Sequence, residues 1–330
     1  WVLWGTNLVI NYPSELVFAL ILSLTIANFV KYIIENKDKI KLNKALSEYV
    51  SRDIAHEILS GEWKYNLDWE QKRISILFSD IEWFTSISEK LTPEQLVWFL
   101  RIYLSKMSDV IIEENGFINK YEWDSIMSLW WVFWSQTNLA INSCKTALKQ
   151  QKLLDNLNKE WIKVFKWWIN VRMWIHIWNA ILWNIWAKWK KIEFTALWDS
   201  VNLASRLEWV NKFYNTNICV SEDIYLEAKD IFLFRYLDKI KVKWKNIWIK
   251  IYELIEENKI ASIKQKDIIT KFQEAVNYYQ IKEFKKALEI FENLKLNWDR
   301  PSFIYIERCK EYIKNPPKEN WDWIWVFKEK

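Results

Sequence analysis

Ile74-Ser75-Ile76-Leu77-Phe78-Ser79-Asp80-Ile81-Glu82-Trp83-Phe84-Thr85 is an apolar run that ends in acidic residues and a break. Five residues, Ile74 to Phe78, read as a short buried strand, with a loop after Asp80 leading into a helix. Downstream, Pro93 to Glu114 reads as a helix, with Thr92 placed to cap it and Pro93 in its first turn. Phe117 to Tyr121 and Ser125 to Leu129 read as two strands around a turn at Glu122-Trp123-Asp124. Asn138 to Asn158 is a helix. Asn170 to Ile177 and Ala180 to Ile185 are expected to form a hairpin turning at Trp178-Asn179. Asp199 to Phe213 is a helix, and Ile218 to Val220, Leu233 to Lys243 and Ile249 to Leu254 are strands. The class is α+β, with helices packed on a mostly antiparallel sheet.

Composition carries an anomaly. The chain has 26 Trp and 3 Gly in 330 residues, where ordinary usage is roughly 7% Gly. Many Trp stand where a backbone needs glycine, as in Trp174 to Trp186, which holds four of them. Indoles need large cavities and a partner for each N–H, and tight turns need a residue that accepts φ > 0. The expectation is that most of these Trp are glycine in the natural product, from a UGA codon read with the wrong table. A truly Trp-rich aromatic-cage binder is the alternative. The chain is 51% hydrophobic and 27% charged, hence globular. A net charge of +5, with no basic stripe interleaved with aromatics, points to no nucleic-acid partner. Cys144, Cys219 and Cys309 are far apart and odd in number, which fits reduced thiols. His56 and His176 are too few for a His-based metal cluster. The first residue is not Met, so a longer parent protein is expected.

Leu16 to Ile34 is a run of 19 mostly apolar residues, close to the ~20 that span a bilayer. Lys37, Lys39, Lys41 and Lys44 follow it. That bias places what comes after in the cytoplasm, with the chain held at the cell membrane. A buried core helix is the other reading. Residues 40–62 have helical periodicity that Gly61 interrupts. Near the other end, Phe272, Ala275, Tyr279, Phe284, Ala287, Leu288, Phe291 and Leu294 point to an antiparallel helix pair over 267–313. It resembles one tetratricopeptide-like unit, which must dock on something or bind a protein partner. The expected divisions are 1–35, a membrane segment; 36–72, a helical connector; 73–256, a catalytic domain; and 257–330, a helical tail.

Three segments carry the chemistry: Phe78 to Thr85, Lys120 to Asp124, and Thr195 to Arg206. With glycine at 83, 123 and 198 they read FSDIEGFT, KYEGD and TALGDSVNLASR. Together they resemble the signatures of class III nucleotide cyclases, over about residues 45–255. The resemblance implies the family's fold, a ferredoxin-like βαββαβ core. It also implies adenylate cyclase activity in signal transduction. Asp80, Asp124 and the Ile81 carbonyl correspond to the ligands of two Mg²⁺ (or Mn²⁺) ions per site, which suit hard oxygen donors. Asn202 and Arg206, four apart and on one helix face, correspond to the transition-state pair.

Lys120 and Thr195 occupy the base-reading positions, and Lys with Thr resembles adenylate rather than guanylate cyclases. ATP is then the expected substrate. Phe84 and Thr85 lie in the loop that wraps the phosphates. Lys243 resembles a phosphate-binding lysine, though a solvated strand end reads equally well. In the family the metal ligands and the Asn/Arg pair come from different protomers, so a homodimer is implied. The apolar span followed by Glu48-Tyr49-Val50-Ser51-Arg52 resembles cyclases with an upstream extracellular CHASE-type sensor. The departures are all Trp. An indole at 123 puts a bulky side chain in a turn beside a metal ligand, and one at 83 crowds the phosphate loop. A guanylate cyclase and a catalytically inactive membrane scaffold remain the competing readings.

Overall fold

The computed structural model describes residues 12–46, 70–130, 138–187, 191–197, 210–241, 248–318, 321–323 and 325–326. The chain divides into two units, Trp1–Asn66 and Leu67–Lys330. In the first, α1 (Tyr12–Leu46) contains Val17–Ile34, a stretch of mean hydropathy 2.0 with exposed side chains. It is long and apolar enough to cross a membrane. The connector beyond residue 46, with Gly61, lies outside the described residues.

The second unit is a mixed sheet with helices against it. In chain order come β1 (Glu70–Ile81), α2 (Phe84–Ser88), α3 (Pro93–Glu113), β2 (Phe117–Glu122), β3 (Ser125–Trp130) and α4 (Leu139–Phe165). Then follow β4 (Val171–Ala187), β5 (Lys191–Leu197), β6 (Ile218–Ser221), α5 (Glu222–Ala228), β7 (Phe232–Lys241) and β8 (Trp248–Glu257). The tail is α6 (Ile263–Gln280), α7 (Phe284–Leu296), α8 (Arg300–Lys314) and the short β9 (Trp325–Val326). The strand order is β2-β3-β1-β4-β6-β8-β7-β9, with β5 beside β4. Among the described residues, only β4–β6 and β7–β9 pair in parallel.

β1 lies between β3 and β4, and alternation along it feeds two cores. Leu77 and Ile81 face Phe99, Tyr103, Met107 and Ile111 of α3, with Ala140, Cys144 and Ala147 of α4. Ile74 and Ile76 face the other way, with Met127, Leu129 and Ala180. α3 starts where the sequence indicates. Gln95 N–H donates to Thr92 Oγ1 (3.3 Å) and Thr92 N–H to Gln95 Oε1 (3.0 Å), a reciprocal cap. Gly116 is required by close approach, since a Cβ there meets Ile111 Cγ2 at 2.6 Å and the Trp130 ring at 2.7 Å.

Two expectations are corrected. The hairpin at Trp178-Asn179 does not form. β4 runs unbroken from Val171 to Ala187, because its partnership with β1 extends from Ile81↔Val171 to Glu70↔Leu182 and holds it straight. Neither Trp178 nor Asn179 has a positive φ, and the reversal into β5 falls at 188–190, outside the described residues. The tail has three helices rather than two. Phe272, Tyr279, Phe291, Tyr305 and Cys309 form one core from α6, α7 and α8, so α8 supplies a face the pair lacked.

Eight non-glycine residues among those described have positive φ, and four are Trp: Trp83 (62°), Trp123 (58°), Trp298 (61°) and Trp323 (48°). The left-handed region crowds Cβ against the following carbonyl and favours glycine.

Candidate active site

Two carboxylates meet at one edge of the sheet. Asp80 stands near the end of β1, and Asp124 in the two-residue turn between β2 and β3. β1 and β3 are hydrogen-bonded neighbours in register Ser79↔Ile126, so the end of one strand arrives at the turn of the other. Ser125 Oγ donates to Asp80 Oδ1 at 3.0 Å, and Ile81 N–H donates to Asp124 Oδ2 at 3.3 Å. Asp124 is buried while Asp80 is half-buried. Burial, then a hydrogen bond with the Asp80 carboxyl and repulsion from its charge, push Asp124 up to about 7.

Such a pair fits a divalent cation. It offers hard oxygens that repel one another unless a proton or a cation lies between them. Among the described residues no group of three His, Cys, Asp or Glu side chains gathers. Carbonyl, substrate or water oxygens can complete such a site, and the Ile81 carbonyl belongs to the same segment.

A pH dependence follows. A carboxyl raised in the folded state binds its proton up to about pH 7, so the metal-free fold loses stability as pH rises from the ordinary carboxylate range through 7. A cation must displace that proton below pH 7 and finds the site already charged above it. Mn²⁺ binding followed by calorimetry in two buffers is expected to release about one proton per site at pH 6 and almost none at pH 8, with affinity about tenfold weaker at pH 6. Equal proton release at both values contradicts this.

Around the pair, the loop is held by contacts the sequence does not announce. Glu82 N–H donates to Asn170 O (2.9 Å), Arg172 ion-pairs with the Glu82 carboxylate, and Asn170 Nδ2 donates to Glu82 Oε2 (3.2 Å). Arg172 is ninety residues further on and reaches Glu82 only because β4 pairs with β1. An acidic residue two positions after Asp80 is the one signal the sequence offers for this latch. Tyr103, fully buried on α3, lies under Asp80 and Asp124; burial raises its hydroxyl well above the usual phenol range. Only an alignment of α3 with β1 in space brings it there.

Of the other expected site residues, Phe84 and Thr85 open α2 directly after Trp83, with Phe84 half-buried against the core and Thr85 exposed. Lys120 is on β2 and ion-pairs with Glu122. Thr195 is on β5 opposite Trp183, and its side chain lies outside the described residues. Asn202, Arg206, Lys243 and Trp198 lie outside them too. The structure thus brings Asp80, Ile81 and Asp124 together, with Phe84 and Thr85 on the adjoining loop.

The family profile for the adenylate and guanylate cyclase catalytic domain matches residues 69–256. Adenylate cyclase 1 of Rhizobium meliloti is 31% identical over 212 residues, 63% of this chain and 31% of that protein. An adenylate cyclase of Anabaena cylindrica is 35% identical over 190 residues, 56% of this chain and 37% of that protein. The chain therefore spans about a third of the length of these relatives. Among solved structures, an adenylyl cyclase from P. aeruginosa superposes with a TM-score of 0.54 at 26% identity, covering 59% of this chain and all of that one. With more than half its length matched by that profile, this chain belongs to the adenylate and guanylate cyclase catalytic domain family.

Proposed function

We propose that this chain is an adenylate cyclase that converts ATP to 3′,5′-cyclic AMP and pyrophosphate. The observation that carries the proposal is the convergence of Asp80 and Asp124, held by Ser125 and the Ile81 amide, in a fold whose relatives are adenylate cyclases. Asp80, Asp124 and the Ile81 carbonyl would hold two Mg²⁺ or Mn²⁺ ions, which would supply charge neutralisation at the triphosphate and favour the ionised ribose hydroxyl. The ribose 3′-oxygen attacks the α-phosphorus, the bond to the bridging oxygen breaks, and pyrophosphate leaves as the hydroxyl proton passes to solvent. Phe84 and Thr85 wrap the phosphates, and Lys243 contacts them. Lys120 and Thr195 select adenine over guanine. Asn202 orients the ribose, and Arg206 offsets the charge that grows on the α-phosphate.

The site takes its carboxylates from one copy and its Asn/Arg pair from the other, so the active form is a homodimer. The divisions 1–35, 36–72, 73–256 and 257–330 act as anchor, connector, cyclase and tail, with α6 and α7 a tetratricopeptide-like unit. α1 anchors the chain at the cell membrane. The lysines after it keep the cyclase in the cytoplasm, and a CHASE-type sensor precedes it.

Glycine replaces Trp in the natural product at 83, 123 and 198, and at 298 and 323. The support is backbone geometry at the four described positions, all left-handed. Half-buried Trp167 and buried Trp174, whose buried indole N–H groups have no hydrogen-bond partner, fit the same reading. Trp130 does not: it is buried, its N–H donates to Glu114 O at 2.9 Å, and it packs on Gly116. It is a genuine tryptophan.

Subunit mixing tests the shared site. In chains carrying glycine at 83, 123 and 198, Asp80→Asn and Arg206→Ala are each expected to be inactive. Mixed after dissociation, they are expected to regain roughly a quarter of full activity, because half the random dimers hold one intact site of two. A mixture that stays silent while forming dimers contradicts the two-chain site.

A further inference from the structure

The helical tail touches the segment that leads out of the expected catalytic helix. Residues 210–214 are helical, and Tyr214 is fully buried. Its hydroxyl donates to Asp238 Oδ2 of β7 at 2.5 Å. Arg308 of α8 donates to the same Asp238 oxygen at 2.6 Å and to the Tyr214 oxygen at 3.1 Å. Arg308 is 5% exposed and Asp238 2%. The guanidinium also lies 5.8 Å from the Phe213 ring centre and 5.1 Å from that of Tyr305.

The neighbourhood repeats the connection. Arg300 Nη1 donates to Asn215 Oδ1 at 3.3 Å, and Tyr305 Oη to the Leu237 carbonyl at 2.6 Å. Ile304 packs on the cluster that includes Val210, Tyr214, Leu237 and Ile240. From the other side, Asn211 Nδ2 donates to Met173 O of β4 at 2.7 Å. Segment 210–216 is thus gripped between β4 and α8.

Three polar groups buried together hold one geometry, because any displacement strands a charge without its partner. Asn202 and Arg206 precede Tyr214 by twelve and eight residues, in the helix the sequence leads one to expect over Asp199–Phe213. A helix fixed at its end has its opposite end fixed in direction.

We propose that α8 is a brace for catalysis, with Tyr214, Asp238 and Arg308 as positioning residues that set the placement of Asn202 and Arg206. This rests on the cyclase reading above and on the helix expected over Asp199–Phe213. On this account the tail is part of the catalytic machinery and is not only a surface for a partner.

The test uses the full chain carrying W83G, W123G and W198G. Arg308→Gln is expected to lower kcat for ATP at least tenfold with KM within twofold, while the protein still melts cooperatively above the assay temperature. Arg308→Lys is expected to recover part of the loss. If Arg308→Gln fails to fold, Tyr214→Phe, which removes a single oxygen, decides by the same readout. Unchanged kcat in a folded variant overturns the brace, whatever happens to melting temperature. Hydrogen exchange at the amides of 210–214 gives a reading independent of turnover: faster exchange in Arg308→Gln is expected, and unchanged exchange overturns the proposal. If the chain carrying only W83G, W123G and W198G does not cyclise ATP, the cyclase reading falls, while the exchange measurement still decides whether α8 grips this segment.

Discussion

Asp80→Asn and Asp124→Asn are each expected to lower cyclase kcat about a thousandfold without unfolding the protein. Each removes one of the two carboxylates at the sheet edge. Losing a ligand that holds the metal–triphosphate complex costs several kcal/mol of transition-state stabilisation, at about 1.36 kcal/mol per decade of rate. Stability moves the other way. Asp124 is held up to about 7 by burial and by Asp80, so above pH 7 the metal-free fold confines two like charges. Asparagine at 124 removes one of them and still has an oxygen to accept from Ile81 N–H. Thermal melting at pH 8 without metal should therefore be equal or higher for Asp124→Asn. An activity loss accompanied by a lower melting temperature would mark the residue as a structural support and not a ligand. Retained activity would remove the pair from the mechanism.

Trp83→Gly with Trp123→Gly is expected to raise both activity and stability relative to the literal sequence. Both positions are left-handed, with φ of 62° and 58°, and a side chain there costs about 1–2 kcal/mol. Glycine brings its own entropic cost of about 0.5–1 kcal/mol, leaving a net gain of up to about 1.5 kcal/mol at each site. Little apolar burial is lost, since the two indoles are 62% and 86% exposed. The larger effect is on turnover. Trp83 directly precedes Phe84 and Thr85, with its ring 5.4 Å from Lys212 Nζ, and Trp123 is adjacent to Asp124. Removing both indoles clears the approach to the carboxylates, so cyclic AMP formation should rise from near background. Trp130→Gly is the opposing control. It empties a buried site and leaves the Glu114 carbonyl without its donor, with an expected cost of about 3–5 kcal/mol. Mass spectrometry of the native protein should find glycine at 83 and 123 and tryptophan at 130. Indole at all three positions would contradict the recoding.

The parts of the fold legible in the sequence were those set by local chemistry. Thr92-Pro93 with Gln95 specified where α3 begins, and the apolar alternation through Ile74–Phe78 marked β1. Asp80 and Asp124 were identifiable because strand and turn signals surround each. The expected break at Trp178-Asn179 came from local turn chemistry as well, but the continuous ladder with β1 overrode it. That ladder joins residues about a hundred positions apart, which no short window contains. The Glu82–Arg172 latch and the Tyr214–Asp238–Arg308 cluster are illegible for the same reason: each side chain alone reads as an ordinary surface charge or core ring. The third tail helix was obscured because its Arg308 faces inward to buried Asp238, which puts a charge into the apolar stripe that a helix normally shows.

The most direct measurement is chromatography of products after the full chain, with glycine at 83, 123 and 198, meets ATP or GTP with Mn²⁺, beside its Asp80→Asn counterpart. The account predicts cyclic AMP and pyrophosphate in equal amounts from ATP, far less cyclic product from GTP, and background levels from Asp80→Asn. Untouched ATP, a preference for GTP, or equal output from the Asp80→Asn chain would contradict it.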